Sequence, residues 1–132
     1  MRQKGWQGRL VTYLNWAGRE PFAEGQHDCA LFAAGAVQAM TGLDYAAGYR
    51  GRYTTTRGGL RVLRRNGYAD HVALAASHFA DTAAPVPGDL AVVPSAEGPA
   101  LGVVQGEHVY LLAPGGMTLA PIAAASRFFK VI

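Results

Sequence analysis

Hydrophobic side chains recur with the period of an α-helix in the first half of the chain. One stripe ends before Gly18 and consists of Trp6, Leu10, Tyr13, Leu14 and Ala17. A second stripe follows Asp28, a residue suited to an N-cap, and consists of Cys29, Ala33, Ala36, Val37 and Met40. The two stripes predict two helices that each bury an apolar face.

Two shorter helices are predicted in the middle of the chain. Thr56 is expected to cap a helix that places Leu60 and Leu63 on one side and ends at Asn66 and Gly67. Asp70 is expected to cap a fourth helix that runs to about residue 80.

The second half of the chain changes to short β-prone runs separated by turn residues. The runs are "DLAVVP", "ALGVVQ", "HVYLLA", "MTLAP" and "RFFKVI". Gly106 and Glu107 predict a two-residue hairpin turn that pairs Gln105 with His108. Helices followed by strands predict an α+β fold, in which the N-terminal helices pack on a C-terminal antiparallel sheet in meander order.

Composition narrows the class of protein further. The chain has 132 residues, 50% of them hydrophobic and 16% charged, which fits one domain over residues 1–132. No apolar run approaches the ~18 residues needed for a membrane span, and the first residues lack a signal-peptide pattern. A single cysteine excludes an internal disulfide, and no ligand pair has the spacing of a zinc site. We therefore expect a cytoplasmic chain without metal or cofactor.

Positive charge is concentrated in one segment. The formal net charge is +3, and six of the ten arginines lie from Arg50 to Arg65. Such density is compatible with a phosphate-rich partner, and Arg50 and Arg52 are candidate binding residues. A solvated helix face is the alternative, and it is favoured because only Tyr49 and Tyr53 lie among these arginines.

Cys29 is the residue on which an enzymatic function would depend. In the first turn of a helix, free N–H groups and the helix dipole favour a thiolate nucleophile. The alternative is a small buried side chain on an apolar stripe. A nucleophile also needs a base, for which His27 and His108 are candidates. His71 and His78 fall in the fourth predicted helix and are expected to face solvent.

Several motifs together resemble a known family. The segments "PFAEGQHDCALFAAGAV", "PGDLAVV" and "ALGVVQG" resemble the NlpC-type papain-like cell-wall peptidases. The segments "WQGRLVTYLNWAGREPF" and "GYRGRY" resemble more closely a branch of that family found in phage and prophage tail gene clusters. The resemblance covers about residues 6–132 and implies a papain-like fold.

The resemblance also assigns roles to positions. It implies a nucleophile at Cys29 preceded by Asp28, a catalytic histidine at the position of Ala100, and a third polar residue near Leu112. Both latter positions are apolar in this chain. His108 lies five or more residues along the strand from that end, about 16 Å at ~3.3 Å per residue, which is too far to replace the missing base.

Three functions are therefore weighed. The first is a tail or tail-tip assembly component that is catalytically degenerate, contacts other tail proteins, and resides in the virion after assembly in the host cytoplasm. The second is an active cysteine peptidase that cleaves peptidoglycan peptides during phage entry, with His108 or His27 as the base. The third and weakest is a phosphate or nucleic-acid binder that uses the arginines from Arg50 to Arg65.

Overall fold

Helices occupy the first part of the chain and strands the second, as a computed structural model of residues 1–132 shows. The helices are α1 (Trp6–Ala17), α2 (Cys29–Thr41), α3 (Thr56–Arg65) and α4 (His71–Ala76). The strands are β1 (Leu90–Val93), β2 (Ala100–Gln105), β3 (His108–Ala113), β4 (Gly116–Pro121) and β5 (Arg127–Phe129). The α+β class with an antiparallel sheet is confirmed.

Helices α1 and α2 pack closely against each other, and both predicted stripes are confirmed as helices. Nearly every side of α2 is buried, so this helix is central rather than amphipathic. The small residues of α2 allow a close approach to α1, because a Cβ at Gly35 would lie 2.2 Å from the hydroxyl of Tyr13. That hydroxyl donates a hydrogen bond to the carbonyl of Phe32 over 2.8 Å.

Helix α4 is shorter than predicted. It is capped by Asp70, as expected, but ends at Ala76 rather than near residue 80. The hydroxyl of Ser77 donates to the carbonyl of Leu74 at 2.7 Å, a local bond that competes with continuation of the helix. The chain then turns so that Phe79 packs edge-on against the ring of Tyr45.

The sheet has the strand order β4-β3-β2-β1-β5, with neighbouring strands antiparallel. The first four strands form the expected meander, but the prediction for the last strand was wrong. A short 3-10 turn at Ile122–Ala124 leads the chain back across the sheet, and β5 pairs with the open edge of β1. The expected register of the β2–β3 hairpin is confirmed, since Gln105 pairs with His108 and Val104 with Val109.

One face of the sheet carries the main core, which the helices cover. The core contains 23 buried residues drawn from helices α1 to α4, strands and the loop after α2. α2 lies over β2 and β3, and Cys29 in its first turn meets the backbone of Leu101 near the beginning of β2. This packing brings Cys29 to the sheet. No helix is long and apolar enough to cross a membrane.

A buried ion pair joins the two ends of the chain. Asp89 is 1% exposed and accepts a 2.8 Å bond from Arg2 and a 3.0 Å bond from the N–H of Val131. Its second oxygen accepts from the N–H of Val86, and Arg2 also donates to the carbonyls of Pro87 and Val131. The aspartate of the "PGDL" segment therefore fixes the entry into β1.

Candidate functional site at the start of helix α2

The first turn of α2 is held by Asp28. This residue is extended and only 4% exposed, and its Oδ1 accepts a 2.9 Å bond from the N–H of Leu31. Its Oδ2 accepts a 2.9 Å bond from the N–H of Gly25 and another from the hydroxyl of Tyr53. Asp28, a candidate binding residue, thus has both oxygens occupied inside the protein and acts as a helix cap.

Tyr53 connects this cap to the loop before α3. Burial and the hydrogen bond to Asp28 raise the pKa of the Tyr53 hydroxyl, which therefore stays protonated and can donate. Gly25 lies against the backbone of Tyr53 so closely that a Cβ there would be 1.9 Å from its carbonyl oxygen. Gly25 also has a φ of +81°, so both space and backbone conformation require glycine.

The thiol of Cys29 faces the beginning of β2. Cys29 is partly exposed, and burial of the thiol raises its pKa to about 11. A hydrogen bond from the backbone N–H of Leu101 lowers the pKa, whereas the carboxylates of Asp28 and Glu24 raise it further. Burial and nearby negative charge outweigh the donors at the start of the helix, which favours the alternative of a small buried side chain over the thiolate.

His27 is a structural residue in this fold. It is 7% exposed, and its Nε2 lies 2.9 Å from the carbonyl oxygen of Ala17. A carbonyl only accepts, so Nε2 carries the proton and donates it to the end of α1. The ring also packs edge-on against Trp16, with centroids 5.2 Å apart. His27 therefore anchors the loop before α2 and makes no hydrogen bond to Cys29.

His108 lies at the far end of the hairpin. It is exposed and pairs with Gln105, four residues along β2 from Leu101, which is about 13 Å of strand. The positions that the peptidase resemblance assigns to the base and its orienting residue hold Ala100, which pairs with Val93, and the buried Leu112. Neither candidate base is brought to the thiol.

His71 was expected to face solvent, but it is only partly exposed. Its Nε2 lies 2.9 Å from the carbonyl oxygen of Pro99, so Nε2 carries the proton. Its Nδ1 is buried and has no hydrogen-bond partner. Pro99 is two residues before Leu101, about 6.6 Å of strand. His71 is therefore the histidine held beside the start of β2, where the thiol also lies, and sequence pattern gave no signal for it.

The candidate site lies within a domain that matches a known sequence family. The sequence model of one family, described as Domain of unknown function (DUF6950), matches residues 1–131. The chain belongs to this family. No curated protein and no solved structure matches the chain. The match spans all the helices and strands, so the first turn of α2 and the start of β2 both lie within the DUF6950 domain.

The two candidate arginines of this DUF6950 chain have different surroundings. Arg50 is half-buried and forms an ion pair with Asp44, with bonds of 2.7 and 3.2 Å. Burial alone would lower the pKa of Arg50, but the hydrogen bonds and charge of Asp44 raise it overall, so the charge of Arg50 is used internally. Arg52 is exposed and makes no side-chain hydrogen bond. Of these two arginines, only Arg52 has a side chain that is available to an external partner.

Other concave or polar regions of the DUF6950 domain lie away from the thiol. A shallow surface depression of about 410 Å³ is lined by Asp81, Thr82, Ala83, Ser126, Arg127 and Phe128. Its polar side chains include the exposed ion pair between Asp81 and Arg127. No group of three or more His, Cys, Asp or Glu side chains is placed to hold a metal ion.

Proposed function

We propose that this DUF6950 chain is a tail or tail-tip assembly component of a phage or phage-derived particle. In this proposal it has a papain-like, NlpC-type fold that no longer hydrolyses peptides. The observation that carries the loss of hydrolysis is the surroundings of Cys29. Burial raises the pKa of its thiol to about 11, and no histidine ring forms a hydrogen bond with it.

The arrangement of α2 and the sheet supports the peptidase-like scaffold. A cysteine in the first turn of a buried helix faces one strand of an antiparallel sheet, and the backbone N–H of Leu101 contributes to its pKa. The resemblance of the quoted segments assigns a histidine to Ala100, the residue next to Leu101. Alanine leaves this position without a base, which supports loss of the reaction.

The tail role depends on the resemblance of "WQGRLVTYLNWAGREPF" and "GYRGRY" to proteins of phage tail gene clusters. Both segments serve the fold here: the first forms α1 and the loop that His27 anchors, and the second contains Arg50 and Tyr53. Their contacts stabilise the first turn of α2. The shared segments therefore describe a scaffold that keeps its cysteine in place without a base.

Genetic complementation tests this proposal. Deletion of the gene from the phage or prophage that carries it should prevent assembly of complete tails. A gene with Cys29→Ser should restore particle yield and infectivity, because the thiol is not needed for chemistry. A gene with Asp28→Ala should fail, since the cap of α2 is lost. Normal particles after deletion would contradict the tail role, and assembled but non-infective Cys29→Ser particles would contradict the non-catalytic role.

One observation favours a second candidate, an active cysteine peptidase that acts on peptidoglycan peptides. His71 has its proton fixed on Nε2 by Pro99, which leaves Nδ1 as an unprotonated, buried acceptor without a partner. In this candidate function, Sγ of Cys29 attacks the amide carbonyl while its proton passes to Nδ1 of His71. His71 then returns that proton to the leaving amine, and water later releases the acyl group.

Release of peptide fragments from purified cell wall distinguishes the two candidates. If the protein is a peptidase, Cys29→Ala and His71→Ala should both abolish release. The control is His78→Ala, which changes an exposed histidine just after α4 and should leave release unchanged. The non-catalytic proposal predicts no release by the unaltered protein.

A further inference from the structure

The outer face of α3 is a stripe of arginines. Arg57, Arg61, Arg64 and Arg65 are spaced by four, three and one residues, which places them on one side of the helix. All four side chains are exposed, whereas Gly59 and Leu63 on the opposite side are buried. At 1.5 Å per residue the stripe is about 12 Å long. We call these four residues the α3 arginine stripe.

The α3 arginine stripe has no partner inside the protein. Four other arginines are bound by carboxylates or carbonyls, and these are Arg2, Arg9, Arg50 and Arg127. None of the stripe arginines forms an ion pair or a side-chain hydrogen bond, and α3 contains no acidic residue. Glu24 lies at the N-terminal end of α3, but its carboxylate accepts a bond from Thr56.

This charge distribution does not stabilise the helix. Arg57 lies in the first turn, where the helix dipole disfavours a positive charge, and Arg61 is one turn away from it. Only Arg64 and Arg65, in the last turn, complement the dipole. Four like charges along about 12 Å repel one another. An external anion that neutralises them would remove this repulsion.

We infer that the α3 arginine stripe binds the phosphate backbone of double-stranded nucleic acid. B-form DNA carries one phosphate charge per ~1.7 Å of its axis when both strands are counted, so a stripe of ~12 Å laid on the duplex lies near several phosphates. This density of negative charge complements the four guanidinium groups. Arg52, which is exposed and unpaired just before α3, adds a fifth charge of the same sign.

The composition of the face favours a polyanion over a protein partner. Protein interfaces have apolar and aromatic residues at their centre. The large exposed hydrophobic residues of this chain all lie outside α3, and these are Met1, Val11, Trp16, Leu43, Val86, Leu119 and Ile132. The same observation disfavours single strands, whose bases stack on exposed aromatic side chains. The contacts expected are therefore backbone contacts without sequence preference.

Salt-dependent binding to a short duplex of random sequence tests the inference. The unaltered protein should bind with a slope of log K against log [salt] of about −4.5, because each of five neutralised phosphates contributes about −0.9. The triple variant Arg57→Gln, Arg61→Gln, Arg64→Gln keeps Arg52 and Arg65, so it should reduce the slope to about −2 and weaken binding at low salt by at least about tenfold. Glutamine keeps the helix propensity of arginine, so α3 should remain folded.

A matched control removes the same charge elsewhere. Lys4, Arg19 and Lys130 are exposed and lie outside α3. Their replacement by glutamine should leave the slope near that of the unaltered protein. Equal losses in the two triple variants would overturn the inference, because only net charge would then matter. Binding to polyglutamate as tight as to the duplex would also overturn it, in favour of an acidic protein partner. This test is independent of the tail proposal and of any reaction at Cys29.

Discussion

Helices α2 and α3 both begin at a side-chain cap, yet the polar residues around them have opposite surroundings. At the start of α2, Asp28 has both oxygens bound inside the protein, and Tyr53 donates to it. Along α3, the arginine stripe is exposed and unpaired. The comparison teaches that a cluster of polar residues indicates an external partner only when the fold leaves those residues without an internal one.

The largest effect should come from removing the α2 cap. Asp28→Ala leaves the buried N–H of Leu31, the N–H of Gly25 and the hydroxyl of Tyr53 without acceptors. We expect a loss of about 3 kcal/mol in the free energy of unfolding, measured by urea denaturation. Asp70→Ala is the control, since Asp70 makes only one cap bond, to Ala73, and it should cost about 1 kcal/mol. Equal losses of free energy in Asp28→Ala and Asp70→Ala would contradict the special role given to the α2 cap.

Removal of a single donor to Asp28 should have a smaller effect. Tyr53→Phe keeps the ring but deletes the hydroxyl that donates to the carboxylate. The free energy of unfolding should fall by about 1.5–2 kcal/mol, the lower part of the range for a hydrogen bond to a charged group. Tyr110→Phe should change it by less than about 0.5 kcal/mol, because Tyr110 is half-buried and its hydroxyl has no such partner. An unchanged free energy of unfolding in Tyr53→Phe would show that the hydrogen bond to Asp28 does not stabilise the fold.

Stability at alkaline pH should depend on the raised pKa of the Cys29 thiol. The pKa of Cys29 is about 11 in the folded protein, and about 8.5 is usual for an unfolded thiol. Folding therefore favours the protonated thiol. This contribution to stability is complete below the pKa of the unfolded chain and is lost as the pH rises through the pKa of the folded protein. Between pH 8.5 and 9.5 the free energy of unfolding should fall by about 1 kcal/mol more than in Cys29→Ser. Parallel pH profiles would contradict the raised pKa.

The smallest effect on the free energy of unfolding is expected for the α3 arginine stripe. Arg61 makes no internal bond, so Arg61→Gln should change the free energy of unfolding by less than about 0.5 kcal/mol. Relief of repulsion from Arg57 and Arg65 makes a slight gain the expected direction. A loss above 1 kcal/mol would mean that the stripe has a structural role.

Sequence periodicity predicted the parts of the fold that depend on local pattern. The helices α1 and α2 and the β2–β3 hairpin follow from apolar spacing and from the turn at Gly106 and Glu107. The return of β5 to β1 could not be predicted in this way. That pairing joins Leu90 to Phe129, residues far apart in the chain whose local patterns suit either edge of the sheet.

The candidate site was predicted only in part. The position of Cys29 in the first turn of α2 and its separation from His108 followed from spacing and strand geometry. The burial that raises the pKa of the thiol depends on tertiary packing, and a dipole argument alone gave the opposite direction. His71 was missed because its contact is with the backbone carbonyl of Pro99, which lies 28 residues further along the chain, just before β2. Every residue has a backbone carbonyl, so residue types do not indicate which carbonyl will accept a hydrogen bond.

The rate of alkylation of Cys29 by iodoacetamide as a function of pH tests the central claim most directly. The folded protein should react slowly at neutral pH, and its rate should rise along a titration with a midpoint near pH 11, at least one unit above that of the unfolded chain. His71→Ala should leave the midpoint unchanged. A midpoint below pH 7 that moves upward in His71→Ala would contradict the account, because it would show a thiolate paired with an imidazolium.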